Sequence, residues 1–388
     1  MNARARMWRG VDHLRVFGPF EGITAEGLRA ASAAPVFEAP PDADAVTRLL
    51  IGEPLGERPL VLATGGGYVG ARIAHTVGDG RVVNTLFPAL IRAAVTGTGP
   101  RPPVAAPVRL PLICALLHHF GRHPAALLRA GRISRPPRSS GVGAPWTPDI
   151  RYRSVRSATA LGRVRAWRDR YAPGLSAAAV LFSAAPVALT RAGLPPKWPG
   201  AVVLVDARRY LPDGATVDGN FSWGQYVCPA DPIDPRSVHA ALAAELDSGR
   251  PLAMLALRTA RLALRSPAAG PVPLPPPVPL PRPPPPLPPP VPVAAARQPA
   301  RPELTLTHVG RLDGYADLPW AGPPDGYRNI SVPTTSGPEA LTLSFSELAG
   351  ALYVNASFDG AVLDSDRVAA AIDALCHDPV GLVSVAGG

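Results

Sequence analysis

Apolar and polar positions repeat with two periods along this chain, and the period switches often. Leu60 to Thr64 and Tyr68 to Ala74 are apolar, strand-like runs on either side of Gly65-Gly66-Gly67, which predicts two strands joined by a glycine turn. The period then lengthens. Val83, Leu86, Phe87, Leu90 and Ile91 fall on one helical face, with Pro88 expected to kink or shorten that helix. Leu161, Val164, Trp167 and Tyr171 form a second helical stripe, and Ala201 to Val205 is a β-branched run suited to a buried strand. Asp234-Pro235 supplies an N-cap and a first-turn proline for a helix that buries Val238, Leu242 and Leu246. Near the end, Leu341, Leu343 and Phe345, then Leu352, Val354, Ala356 and Phe358, alternate as in a half-buried hairpin with Gly350 in its connection. Asp364 or Ser365 then caps a helix carrying Val368, Ile372 and Leu375. Strands and helices interleaved in this way, with no internal repeat, indicate a mixed α/β architecture.

One break interrupts the pattern. From Ser266 to Pro302, runs such as Leu-Pro-Arg-Pro-Pro-Pro-Pro-Leu-Pro-Pro-Pro remove amide donors and lock φ, so neither helix nor central strand is expected there. The plain reading is an extended spacer or surface loop. A ligand for an aromatic groove on a proline-motif-binding partner is the sharper one.

With 388 residues, 47% of them hydrophobic, the chain is long enough for two lobes with their own cores. A formal charge of +10 suits an anionic partner: a phosphorylated co-substrate, an acidic carrier protein, nucleic acid or a membrane surface. Lys197 is the sole lysine, so much of that charge belongs to a composition biased toward Arg, Ala, Pro and Gly throughout. Aromatics make up only 6% of the chain and no basic block interleaves with them, which disfavours nucleic acid. Cys114, Cys228 and Cys376 lie far apart, as expected of free thiols in a reducing cytoplasm rather than a disulfide framework or zinc site. The first residues are basic with no apolar core behind them, unlike a secretory signal, and the most apolar stretch, Leu175 to Leu189, is too short to span a bilayer. A soluble, cytoplasmic protein without integral membrane association is expected.

The segment richest in chemistry is His75-Thr-Val-Gly-Asp79-Gly80, placed directly after a strand. An imidazole there can take a proton from a hydroxyl or amine near neutral pH, and a carboxylate beside a tight turn can pin the loop that presents it. Three later segments join it: Val205-Asp206-Ala207-Arg208, Gly219-Asn220-Phe221-Ser222-Trp223-Gly224 and Leu304-Thr305-Leu306-Thr307-His308.

In this order the segments resemble the superfamily of chloramphenicol acetyltransferases, nonribosomal peptide condensation domains, plant BAHD acyltransferases and mycobacterial polyketide-associated acyltransferases. The resemblance runs from about residue 58 to the C-terminus. It implies a two-lobed fold of mixed sheets with flanking helices and a central tunnel, with residues 1–148 as the N-terminal lobe and 149–388 as the C-terminal lobe, interrupted by the proline-rich linker at 266–302. It implies an acyltransferase in which His75 deprotonates the acceptor, Asp79 pairs with Arg208, Gly80 permits the sharp turn, Asn220, Trp223 and Gly224 brace the opposite wall, and Thr307 donates to the oxyanion. No bound cofactor is implied. The co-substrate would be an acyl-CoA or an acyl-phosphopantetheine carrier protein, and the acceptor a small molecule. Departures from the superfamily pattern are Ala74 in place of the first of two histidines, His308 where relatives usually have Asn, and a short N-terminal lobe. A catalytically degenerate member acting as a binding module is the alternative these departures favour.

Other motifs compete with this reading. Gly65-Gly66-Gly67-Tyr68-Val69-Gly70 has the spacing of a dinucleotide-binding turn, the basis of an alternative NAD(P)-binding oxidoreductase, although no acidic residue ends a strand about twenty residues on. His118, His119 and His123 read as an amphipathic helix surface rather than a metal cluster. His13, His239 and His377 read as solvated histidines, Ser222 lacks a nucleophile elbow, and Asp213, Asp218, Asp231 and Asp234 read as turn and cap residues.

Overall fold

A computed structural model of the chain describes residues 3–97, 107–131, 146–264 and 300–386. Among the described residues eleven strands run in chain order as β1 (Asp12–Gly18), β2 (Val36–Glu38), β3 (Leu60–Gly65), β4 (Tyr68–Ala74), β5 (Ile150–Ser157), β6 (Ala201–Asp206), β7 (Ser222–Val227), β8 (Glu303–Arg311), β9 (Arg328–Pro333), β10 (Ala340–Leu348) and β11 (Ala351–Asp359). They form two mixed sheets, β2-β3-β4-β1-β9 and β5-β11-β10-β8-β6-β7. The parallel pairs are β2 with β3, β8 with β10 and β6 with β8, each linked through intervening helices or long connections, as parallel neighbours require.

The first sheet is covered on both faces. On β1, Leu14 and Val16 point toward the helix Ala43–Gly52 and pack with Val46 and Leu50. His13, Arg15 and Phe17 point the other way, where Phe17 meets Phe87 and Ile91 of the helix Gly80–Thr96. That helix continues through Pro88, which therefore does not shorten it, and ends at Gly97 in the left-handed region. The carbonyl of Asn84, one turn before Pro88 and the one its ring would crowd, lies in ordinary van der Waals range of Gly314. Leu86 is exposed rather than buried, because the apolar stripe is centred on Val83, Phe87 and Ile91.

The second sheet packs one face on the helices Ala177–Arg191, Pro235–Asp247 and Ser365–His377. Leu341, Leu343, Phe345, Val354, Ala356 and Phe358 supply that face, and Asp364 caps the helix Ser365–His377 as its sequence suggested. The β10–β11 hairpin is not half-buried, however. Its other face carries Thr342, Ser344, Ser346, Asn355 and Ser357, which are buried as well. β9 covers them: Asn329 donates to Ser346 Oγ at 2.9 Å, the Ser331 amide to Asn355 Oδ1 at 3.2 Å, and Ser357 Oγ to the Pro333 carbonyl at 2.8 Å. Polar residues that read as solvent-facing in sequence thus form a hydrogen-bonded seam between the sheets. β9 itself lies past residue 148 yet pairs with β1, from His13 opposite Pro333 to Gly18 opposite Arg328, and so completes the first sheet.

Residues 60–74 adopt the expected hairpin, with Gly65 opposite Tyr68 and Gly66 and Gly67 at φ of 58° and 85°. A strand rather than a helix follows the glycines, so the strand-turn-helix context of a dinucleotide-binding turn is not met and the dinucleotide-binding reading of Gly65–Gly70 is overturned. Apart from residues 300–302, the proline-rich segment and the spacer and partner-binding readings placed on it lie outside the described residues. Among the described residues no helix is long and apolar enough to cross a membrane.

Gly70 lies where the Ala43–Gly52 helix presses on β4, and a Cβ there would stand 2.5 Å from Leu50 Cδ1 and 2.7 Å from a Val46 methyl. Gly70→Ala is therefore expected to lower unfolding free energy by about 1–3 kcal/mol through overpacking, measured by urea denaturation.

Candidate active site

β4 ends at Ala74 and the helix Gly80–Thr96 begins six residues later, so the His75–Gly80 loop is a strand-to-helix turn held at both ends. The His75 amide donates to the Val11 carbonyl at 2.8 Å, and Asp79 caps the helix through the Val82 amide. The other Asp79 oxygen faces the second lobe. It accepts from Arg208 Nη1 at 2.7 Å and from the Phe221 amide at 2.8 Å. Arg208 follows β6 in a 3-10 turn, where it also bonds Asp206 Oδ1 at 3.1 Å and the Gly219 carbonyl at 2.8 Å. Burial works against the Arg208 cation, but Asp79 and Asp206 outweigh it and hold the proton more firmly than usual. Asn220, one residue before that amide, donates from Nδ2 to the His75 carbonyl. The Asp206-x-Arg208 segment and the Gly219-Asn220-Phe221 segment therefore converge on the His75–Gly80 turn.

The His75 ring is 7% exposed and sandwiched. Trp8 stacks on one face, centroids 4.1 Å apart and planes 6° apart, and His13 covers the other at 3.9 Å. Nδ1 is buried without a hydrogen-bond partner. Burial pushes the imidazole below its ordinary value, offset in part by its own backbone carbonyl, Asn220, Asp79 and Asp12. His13 is pushed further down, first by burial and then by His75 and Arg15, against which the Gly78 carbonyl, 3.2 Å from its Nε2, works only partly. Two neutral imidazoles in contact are the result.

His13 and Trp8 were not legible as site residues. His13 read as a solvated histidine near the chain start, yet it is buried, because antiparallel pairing sets it opposite Ile73, two residues before His75. The alternation Asp12-His13-Leu14-Arg15-Val16 was the available signal for a strand. No comparable signal marked Trp8.

The remaining candidates are more peripheral. Trp223 and Gly224 pair with Val205 and Leu204 in the ladder between β6 and the edge strand β7, where they wall the second lobe. Thr307 sits half-buried on β8 opposite Ser344, with His308 exposed beside it, and among the described residues no hydrogen bond joins Thr307 to His75. His118 to His123 occupy the end of the helix Pro111–Arg122, where His118 bonds the Tyr210 carbonyl and His119 packs edge-on to the Tyr210 ring. Among the described residues no group of His, Cys, Asp and Glu could hold a metal ion, and the three cysteines are free. Asp234 is a helix cap, as expected.

The whole described chain has the two-lobed fold of the condensation and acyltransferase superfamily. Among solved structures it is similar to polyketide synthase associated protein 5 from Mycobacterium tuberculosis, with 17% identity over 97% of each chain and a TM-score of 0.54. It is also similar to the trichothecene 15-O-acetyltransferase from Fusarium sporotrichioides, with 12% identity over 98% of this chain and 94% of that one and a TM-score of 0.57. A third is the epimerization domain from the third module of tyrocidine synthetase B, with 12% identity over 99% and 94% and a TM-score of 0.52. Neither protein-family models nor curated protein sequences match the chain.

Asp79→Ala leaves Arg208 buried with the exposed-side Asp206 as its remaining carboxylate and removes the acceptor of the Phe221 amide. It is expected to destabilise the protein by about 3–5 kcal/mol, read from chemical denaturation, and equal stability would refute the bridge. A second expectation concerns pH. His75 and His13 have folded-state values below the 6.5 of a free imidazole, so below that pH the unfolded chain binds more protons. Stability is full above about pH 6.5 and declines as pH falls toward the folded-state values. Melting temperature is expected to drop between about pH 7 and 5, and to drop less steeply in His13→Gln.

Proposed function

We propose that this chain is an acyltransferase that moves an acyl group from a CoA or carrier-protein thioester to a hydroxyl or amine of a small acceptor. The observation that supports it is the convergence of the Asp206–Arg208 and Gly219–Phe221 segments on the turn that carries a neutral imidazole: Asp79 with Arg208, the Phe221 amide on Asp79, and Asn220 on the His75 carbonyl. With Nδ1 buried, Nε2 is the edge that meets the acceptor. It takes the acceptor proton as the hydroxyl or amine attacks the thioester carbonyl. The tetrahedral intermediate then expels the thiolate, and the imidazolium returns the proton to sulfur. The neutral form that this requires is the one burial favours. Thr307 is the candidate donor to the oxyanion, and the net charge of +10 suits phosphate-bearing CoA or an acidic carrier.

Trp8 and His13 on the two ring faces favour a second reading, a binding module in which the imidazole is a packed residue. A transfer and hydrolysis assay with a panel of acyl-CoAs and acyl-carriers separates the two. His75→Ala is expected to lower transfer by on the order of a hundredfold or more while circular dichroism and melting stay near wild type. Turnover unchanged in that variant would remove His75 from the chemistry. The acid limb of the pH profile is expected below 6.5, the value of a free imidazole.

A further inference from the structure

Arg15 is the one lysine or arginine among the described residues that is buried outright, at 6% exposure. Other deeply placed cations have carboxylate partners: Arg208 has Asp79 and Asp206, Arg250 has Glu245, Lys197 has Glu303 and Glu339, and Arg72 has Asp12; Arg156, whose Nε is likewise unpartnered, is only half-buried. Among the described residues no carboxylate pairs with Arg15, no hydrogen bond leaves its guanidinium, and its Nε is buried with no partner. A buried charge left in that state is strongly unfavourable unless something neutralises it.

Its position says what that something does. Arg15 shares the face of β1 with His13, two residues away, and His13 lies against the His75 ring. Arg15 Nη2 also stands 3.9 Å from where a Cβ would project at Gly80, so the guanidinium borders the His75–Gly80 turn. Tyr315 completes the group. It stacks on Phe17, the next residue on that face, is wholly buried, and its hydroxyl has no partner. Burial raises Tyr315 far above the usual phenol range, and it interacts electrostatically with Arg15. A fork of N–H donors and a neutral O–H donor, both unsatisfied, are complementary to one planar carboxylate.

We propose that Arg15 and Tyr315 form a carboxylate-recognition site beside His75, and that the acceptor is therefore a hydroxy- or amino-carboxylic acid. Two residues of strand, about 7 Å, separate Arg15 from His13, whose ring lies against His75, so a short spacer between the carboxylate and the nucleophilic oxygen or nitrogen suits one molecule that meets both Arg15 and His75. The identity of this substrate class rests on the acyltransfer reading; the anion site does not.

The test reads binding without turnover. Glycolate, 3-hydroxypropionate, 4-hydroxybutyrate, β-alanine and 3-hydroxybenzoate are each titrated against their own methyl esters, with inorganic phosphate as a separate arm, following melting temperature and the Arg15 Nε NMR resonance. At least one acid is expected to raise the melting temperature and shift that resonance where its ester does not, and Arg15→Gln is expected to abolish the difference. Equal response to acid and ester, no response to any acid, response to phosphate alone, or an unchanged response in Arg15→Gln would each overturn the proposal. Arg15→Met and Arg15→Gln without ligand are expected to melt at or above the wild-type temperature, since an unpaired buried charge has been removed; a clear drop in both would make Arg15 a structural residue and overturn it. In the transfer assay the responding acid is expected to exceed its ester in kcat/KM by on the order of a hundredfold. An inactive wild type, or a His75→Ala variant that retains activity, bears on the reaction, whereas the difference between acid and ester bears on Arg15.

Discussion

One carboxylate holds the site together. Asp79 uses one oxygen to cap a helix of the first lobe and the other to take a guanidinium and a backbone amide from the second, across sequence separations of 129 and 142 residues. Both partners of the ion pair are almost wholly withdrawn from water, so each needs the other to remain charged at tolerable free energy. The lobes could slide or open only by separating that pair. The same contact fixes the His75 backbone, because Asn220, one residue from the Asp79-bound amide, holds its carbonyl. The position of the imidazole is thus a consequence of how the lobes are joined, not of the loop alone.

Much of the fold was legible from period and caps. The glycine hairpin, the helices after Asp234 and Asp364 and the β10–β11 hairpin depend on local patterns that burial then completes. The elements misread share a cause. Thr342, Ser344, Ser346 and Asn355 look solvent-facing because polar side chains on alternate positions of a strand usually are, and only β9 arriving from the other sheet makes that face an interior. Pro88 did not shorten its helix, whose apolar stripe of Val83, Phe87 and Ile91 is buried on either side of it.

The site divided along the same line. His75, Asp79, Arg208 and Asn220 lie in segments whose spacing carries a recognisable resemblance, and the structure brings them together. His13 and Arg15 occupy alternate positions of a strand whose polar face resembles a wet surface until the helix Gly80–Thr96 and the 3-10 turn Asp313–Tyr315 close over it. Tertiary burial moves those residues from an expected wet surface to the interior, and a one-dimensional pattern does not contain it.

The late strand β9 has a consequence for biosynthesis. Until residues 328–333 leave the ribosome, β1 has its outer row of amide and carbonyl groups uncovered, and the apolar residues beneath it belong to a sheet still missing a member. An open edge of this kind invites pairing with a neighbouring nascent copy. The first lobe therefore needs protection through most of its own translation, and slow, non-local closure should make yield in a cell more sensitive to chaperone supply and temperature than the size of the finished cores would suggest.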